Sequence, residues 1–178
     1  MTTPTKMMMN RRLLLAGGAA TLLLAACGKP AEAPLVAVEI EPASTCDLDG
    51  MLLADYAGPK AQIHYAGESK PTWYCDTVEM FSVLLRPEQV KTVRAVLTQD
   101  MALADWEQPR GHWFDARSGF YVHGSKRHGS MGPTLASFRD EAAAKAFAAQ
   151  HGGRVLRFAE VKPELVDLSG GALHDSRM

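Results

Sequence analysis

Apolar and polar positions divide the chain into an unbroken apolar start, a proline-containing stretch, and a long region of short alternating segments. Leu13 to Ala26 carries no charge and follows Lys6, Arg11 and Arg12. It is short of the roughly 20 residues that a spanning helix needs, so residues 1–26 read as a signal peptide rather than as fold. Residues 27–42 hold three prolines and several alanines and read as a flexible tether. Beyond them, Ala61–Tyr65 and Thr72–Cys75 are rich in strand formers, with Gly67 to Pro71 supplying the turn between them. Asp76 starts a helix: its carboxylate can accept from the free amides of the first turn, and Glu79 stands where a capping box places its acid. Val78, Phe81, Val83, Leu84 and Leu85 give this helix much apolar surface, and Pro87 stops it. Val90 to Leu97 alternates and reads as a strand.

The second stretch repeats that order. Trp113 to Val122 reads as one long bent strand or a hairpin, and Thr134–Phe138 as a strand. Asp140 caps an alanine-rich helix that ends at Gly152-Gly153, with His151 at its negative end. Arg154 to Ala159 is the last strand. Strand, strand, helix, strand therefore occurs twice, which predicts an α+β fold of two similar ββαβ halves, residues 43–100 and 101–165, with a tail at 166–178.

Charge and cysteines narrow the function classes. The signal holds three of the 19 Lys+Arg and none of the 20 Asp+Glu, leaving 16 against 20 in a mature chain of 152 residues. A mildly acidic chain carries no electrostatic footprint for nucleic acid. Leu24-Ala25-Ala26-Cys27 resembles a bacterial lipobox. That resemblance implies cleavage before Cys27, a diacylglyceryl group on its sulfur, and a chain held at a membrane from the periplasmic side. Arg11-Arg12 leaves both the general and the twin-arginine export routes open. With Cys27 lipidated, Cys46 and Cys75 remain. One reading is a structural disulfide, closing a loop of about 30 residues and worth about 3 kcal/mol in a compartment that permits it.

The other reading is a metal site. None of the serines sits in a G-x-S-x-G elbow, no carboxylate pair is isolated in an apolar run, and no C-x-x-C is present, so the expectation is a protein that is not an enzyme. Soft sulfur ligands select Cu(I). Cys46-Asp47-Leu48-Asp49-Gly50-Met51 brings a thiol and a thioether together around a glycine that permits a tight turn. Met131 lies in His128-Gly129-Ser130-Met131-Gly132-Pro133, a glycine-rich segment of the kind that presents side chains on loops. His123 and His128 lie near it and can offer a neutral imidazole. Cys75 precedes a helix start, where the positive helix end lowers a thiol pKa, and is an alternative ligand. Met80 reads as core, the role of Met101 stays open, and Trp73, Trp106 and Trp113 read as core or interface.

The chain resembles the NosL family of copper lipoproteins associated with nitrous oxide reductase. The resemblance begins at Cys46 to Met51 and continues through Gly58-Pro59-Lys60-Ala61-Gln62-Ile63, Trp106-Glu107-Gln108-Pro109 and Trp113 to Arg117. It ends with Met131-Gly132, Ala136-Ser137-Phe138, His151-Gly152-Gly153 and Val155 to Phe158. It implies two similar ββαβ halves. It also implies a Cu(I) ion carried outside the cytoplasm and passed toward nitrous oxide reductase. The route is a membrane assembly complex with an ABC transporter and a periplasmic β-helical partner. The family's ligand motif, often C-x-x-C-G-M, maps onto Cys46 and Met51, with Asp49 standing where the second cysteine would be. Asp49 is a poor Cu(I) ligand, so the third donor is expected elsewhere: Met131 first, with His128 or Cys75 behind it. The competing readings are a copper reservoir or sensor without handover, and a lipid-anchored interaction protein with a Cys46–Cys75 bridge.

Overall fold

Residues 35–168 are described by the computed structural model; the signal peptide, Cys27, the first part of the tether and the tail beyond 168 lie outside the described residues. The elements in chain order are β1 (Ala61–Tyr65), β2 (Thr72–Tyr74), α1 (Thr77–Leu84), β3 (Val93–Gln99), β4 (Trp113–Asp115), β5 (Phe120–Gly129), β6 (Gly132–Phe138), α2 (Glu141–His151) and β7 (Arg154–Arg157). They form a mixed α+β architecture with one sheet ordered β2-β1-β3-β4 and a second ordered β6-β5-β7, every pair antiparallel. In each sheet the first strand of the repeat is central, between the second and the last.

β4 departs from the repeat. Residues 113–122 form neither one bent strand nor a hairpin: Trp113–Asp115 pairs with β3 in the first sheet, and only β5 belongs to the second. The reason is local. The Asp115 side chain accepts from Arg117 N at 3.1 Å, setting a 3-10 turn at Ala116–Ser118 that carries the chain from one sheet to the other. β3, which runs to Gln99, thereby gains a partner for its outer edge, where unpaired backbone groups would otherwise remain.

Strand alternation makes the layers. On β5 Tyr121 enters one apolar cluster and Val122 another; Leu135 and Ala136 on β6, and Leu156 and Val155 on β7, divide the same way. The first cluster also takes Val78, Met80 and Phe81 of α1 and Ala61, Ile63 and Tyr65 of β1. The second takes Phe138, Ala144 and Phe147. The order is therefore first sheet, α1, second sheet, α2. Held between two sheets, α1 is buried from Thr77 to Phe81, while α2 keeps a solvent face with a Glu141–Lys145 ion pair at 2.9 Å. Phe81 and Tyr121 meet edge to face at 4.9 Å across the central layer. Polar bonds also join the halves: Thr77 Oγ1 donates to Leu135 O at 2.6 Å, and the Thr98 and Ser137 hydroxyls lie 3.1 Å apart.

The segment leading into the first half is packed. Gln62 on β1 bonds the Val38 backbone twice, accepting from its N–H and donating to its carbonyl at 3.0 Å each. Ile40 is buried beside Cys46, Leu53 and Cys75.

Candidate metal centre

The loop bearing Cys46 closes on itself. Thr45 and Leu52 form an antiparallel bridge, Cys46 N donates to Met51 O at 2.8 Å, and Gly50 N donates to Cys46 O at 2.9 Å. Gly50 has φ +80°, a conformation that residues with a Cβ rarely adopt. The loop is tied to β2, Asp47 N donating to Trp73 O at 2.9 Å and the Asp47 carboxylate accepting from Trp73 N. This docking carries Cys46 to Cys75, the residue between β2 and the N-cap of α1.

At that junction Cys46, Asp49, Cys75 and Glu79 place four potential ligand atoms within 4.8 Å of one another. Both cysteines are buried free thiols, so no Cys46–Cys75 bridge is formed. Both sulfurs lie 3.2 Å from the same oxygen, Glu79 Oε2, and Cys75 N donates to it at 3.0 Å. Cys75 Sγ lies 3.7 Å from Asp49 Oδ2. Glu79 was expected to complete a capping box. Asp76 does cap α1, its Oδ1 accepting from Val78 N at 2.9 Å, but Glu79 reaches one residue further back, to Cys75 and the thiols. An acid in the first turn of a mostly apolar helix is the signal for it.

The second half supplies the lid. β5 and β6 pair through Gly129↔Gly132, making Ser130-Met131 the tip of a two-residue hairpin rather than a free loop. Ser130 Oγ donates to Cys75 O at 2.9 Å and to Cys75 Sγ at 3.1 Å. Met131 and Met51, both half-buried, pack with Trp73 and Trp113 against Cys46 and Cys75. The expected site residues Cys46, Met51 and Met131 therefore meet in one cluster, joined by Cys75. His128 is exposed, pairs with Pro133 in the hairpin, and is not among the four grouped ligands. Met80 and Met101 are core, in separate clusters.

Electrostatics reverse one expectation. The Cys46 thiol is brought down to about 7, chiefly by the hydrogen bond from Cys75, with burial opposing the fall and backbone N–H donors adding to it. Cys75, expected to be lowered by the helix end, is pushed up instead, by holding its proton against Cys46 and by burial. The pair thus favours one thiolate, on Cys46. Glu79 is raised to about 9, by burial and then by the negative charge of Cys46. Beneath Cys75, the buried Lys60 ammonium donates to Ala57 O at 2.9 Å and Cys75 O at 3.0 Å, and burial draws it down to about 8.

Comparison with known proteins places this arrangement. The NosL family model matches residues 37–166. The chain is 38% identical over 157 residues to the copper-binding lipoprotein NosL of Stutzerimonas stutzeri, covering 84% of this chain and 81% of the relative. It is 34% identical over 148 residues to the copper-binding lipoprotein NosL of Achromobacter cycloclastes, covering 80% and 76%. The crystal structure of the copper chaperone NosL from Shewanella denitrificans superposes with a TM-score of 0.71 at 37% identity, over 74% of this chain and 99% of that one. From the match along most of its length, and from relatives more than a third identical across it, the chain belongs to the NosL family.

Proposed function

We propose that this protein is a membrane-anchored, periplasmic Cu(I) chaperone, binding the ion at Cys46 with sulfur donors drawn from Cys75, Met51 and Met131. The observation that carries this reading is the convergence of sulfur. Of the six cysteines and methionines among the described residues, four gather in one small cluster contributed by the 46–51 loop, the β2–α1 junction and the β5–β6 hairpin. Thiolate and thioether are soft donors and favour a monovalent copper ion. Relatives named copper-binding lipoprotein and a structural neighbour named copper chaperone support it, and fit a role without catalysis.

The chemistry is exchange. Cys46, the more acidic thiol, is the first to offer a thiolate. Met51 and Met131 are half-buried, so an incoming ligand can reach the ion from their side while Cys75 and Glu79 close the other. Copper then moves by stepwise replacement of one sulfur at a time, toward nitrous oxide reductase and its membrane assembly complex with an ABC transporter and a β-helical periplasmic partner. Lipid on Cys27, outside the described residues, keeps donor and acceptor at one membrane and raises their effective concentration.

Titration of the reduced protein with Cu(I) in competition with a chelator tests this. One equivalent is expected to bind. Cys46→Ser is expected to abolish that binding while the melting transition persists. Undiminished affinity in Cys46→Ser would overturn the reading. A mixing assay with the acceptor separates a chaperone from a reservoir, which would retain its copper.

A further inference from the structure

Lys60 is the one lysine or arginine in the buried set of the described residues, with 0% of its surface exposed. Its ammonium bonds two backbone carbonyls, those of Ala57 and Cys75. An ammonium so placed is costly to bury unless negative charge lies close by. The groups around it are acidic: Asp76, whose buried Oδ2 has no hydrogen-bond partner, and beyond the Cys75 peptide the thiols of Cys46 and Cys75 with Glu79. A monovalent ion held between two thiolates leaves one negative charge in a site closed to water on this side. Lys60 supplies the opposite charge from within the fold, at the peptide group of one of the two cysteines.

We infer that Lys60 is a positioning residue of the metal centre, its ammonium fixing the Cys75 peptide and serving as the buried counter-charge to the copper-loaded thiolate pair. The inference rests on the Cu(I) reading above. It assigns Lys60 no contact with the ion.

Two variants separate charge from hydrogen bonding. Lys60→Met removes both, and Lys60→Gln keeps donors for the carbonyls but no charge. Chelator competition is expected to show Cu(I) bound at least about tenfold more weakly by both. X-ray absorption of the loaded variants is expected to count one sulfur fewer than in the native protein. Apoprotein melting temperatures are expected to fall in both variants, since removing the cation leaves buried Asp76 without its opposite charge and, in Lys60→Met, two carbonyls without a donor, so binding is titrated well below each transition. Native affinity and native sulfur count in both variants would overturn the inference. Native affinity in Lys60→Gln alone would also overturn it, by making hydrogen bonding sufficient. If the native protein itself took up no Cu(I), the proposed function would fall; if it bound and both variants matched it, only the assignment of Lys60 would.

Discussion

A methyl group on Gly129 would collide with Asp76 Oδ2 and come within 3.0 Å of Thr134 Cβ. The carboxylate that caps α1 occupies the volume a side chain would need, so the hairpin tip approaches Cys75 only because position 129 has no Cβ. Gly129→Ala is expected to cost about 1–3 kcal/mol of stability, measured by urea denaturation. The thiols give a second prediction at this scale. In the apoprotein one thiolate, on Cys46, should appear as pH rises through about 7, followed by its ultraviolet absorbance, while Cys75 stays protonated well beyond. Cys75→Ala removes the side chain that donates to Cys46 and should move the transition up toward the ordinary value. Asp49 and Glu79 show how far single residues could be read in advance. Residue type marks Asp49 as a hard ligand, and spacing marks Glu79 as a cap. Neither registers that a carboxylate 33 residues away in sequence meets Cys46 Sγ at 3.2 Å.

The elements were the most legible level. The α2 pattern predicts its cap, its length and its glycine stop, and Asp140 does accept from Ala142 N and Ala143 N. Asp140→Ala should lower stability by about 1 kcal/mol, read as a lower melting temperature. β1 was recognisable as a strand, but not as one buried at all five positions. Ile63 and Tyr65 face the core with Ala61, while His64 and Gln62 bond each other at 2.9 Å under the 35–40 segment. Burial and the nearby Arg94 charge lower the His64 pKa. The unfolded chain therefore takes up the proton first as pH falls. Stability should decline below about 6.5 and go on declining until folded His64 is itself protonated. His123, lowered by burial and Arg154, adds a loss of the same sign. Denaturant midpoints measured against pH should fall less steeply in His64→Asn.

At the scale of the molecule, the centre exists because two halves interlock. The first half brings Cys46, Met51, Cys75 and Glu79 to the start of α1, and the second extends a hairpin across them. α1 itself is shared, its Val78, Met80 and Phe81 packing in one cluster with β1 below and β5, β6 and β7 above. Met131→Ala should therefore weaken Cu(I) binding several-fold in a chelator competition with little change in melting temperature, since Met131 is half-buried at the hairpin tip and lies outside the shared cluster. What the amino-acid order alone determined here was whatever depends on neighbours along the chain: the charged and apolar leader, the helix caps and stops, the doubled strand–helix order, and the thiol and thioether of one tight loop. Backbone periodicity and capping act over a few residues, so they are written in short stretches. Tertiary structure alone decided that β4 joins the first sheet, that Cys75 and the hairpin bearing Met131 meet Cys46, that Glu79 serves the thiols, and that Lys60 lies beneath them. Some of these contacts join residues 55 or more positions apart, as Ser130 and Cys75 are. The folding of the first half and the stacking of the second sheet on α1 bring them together.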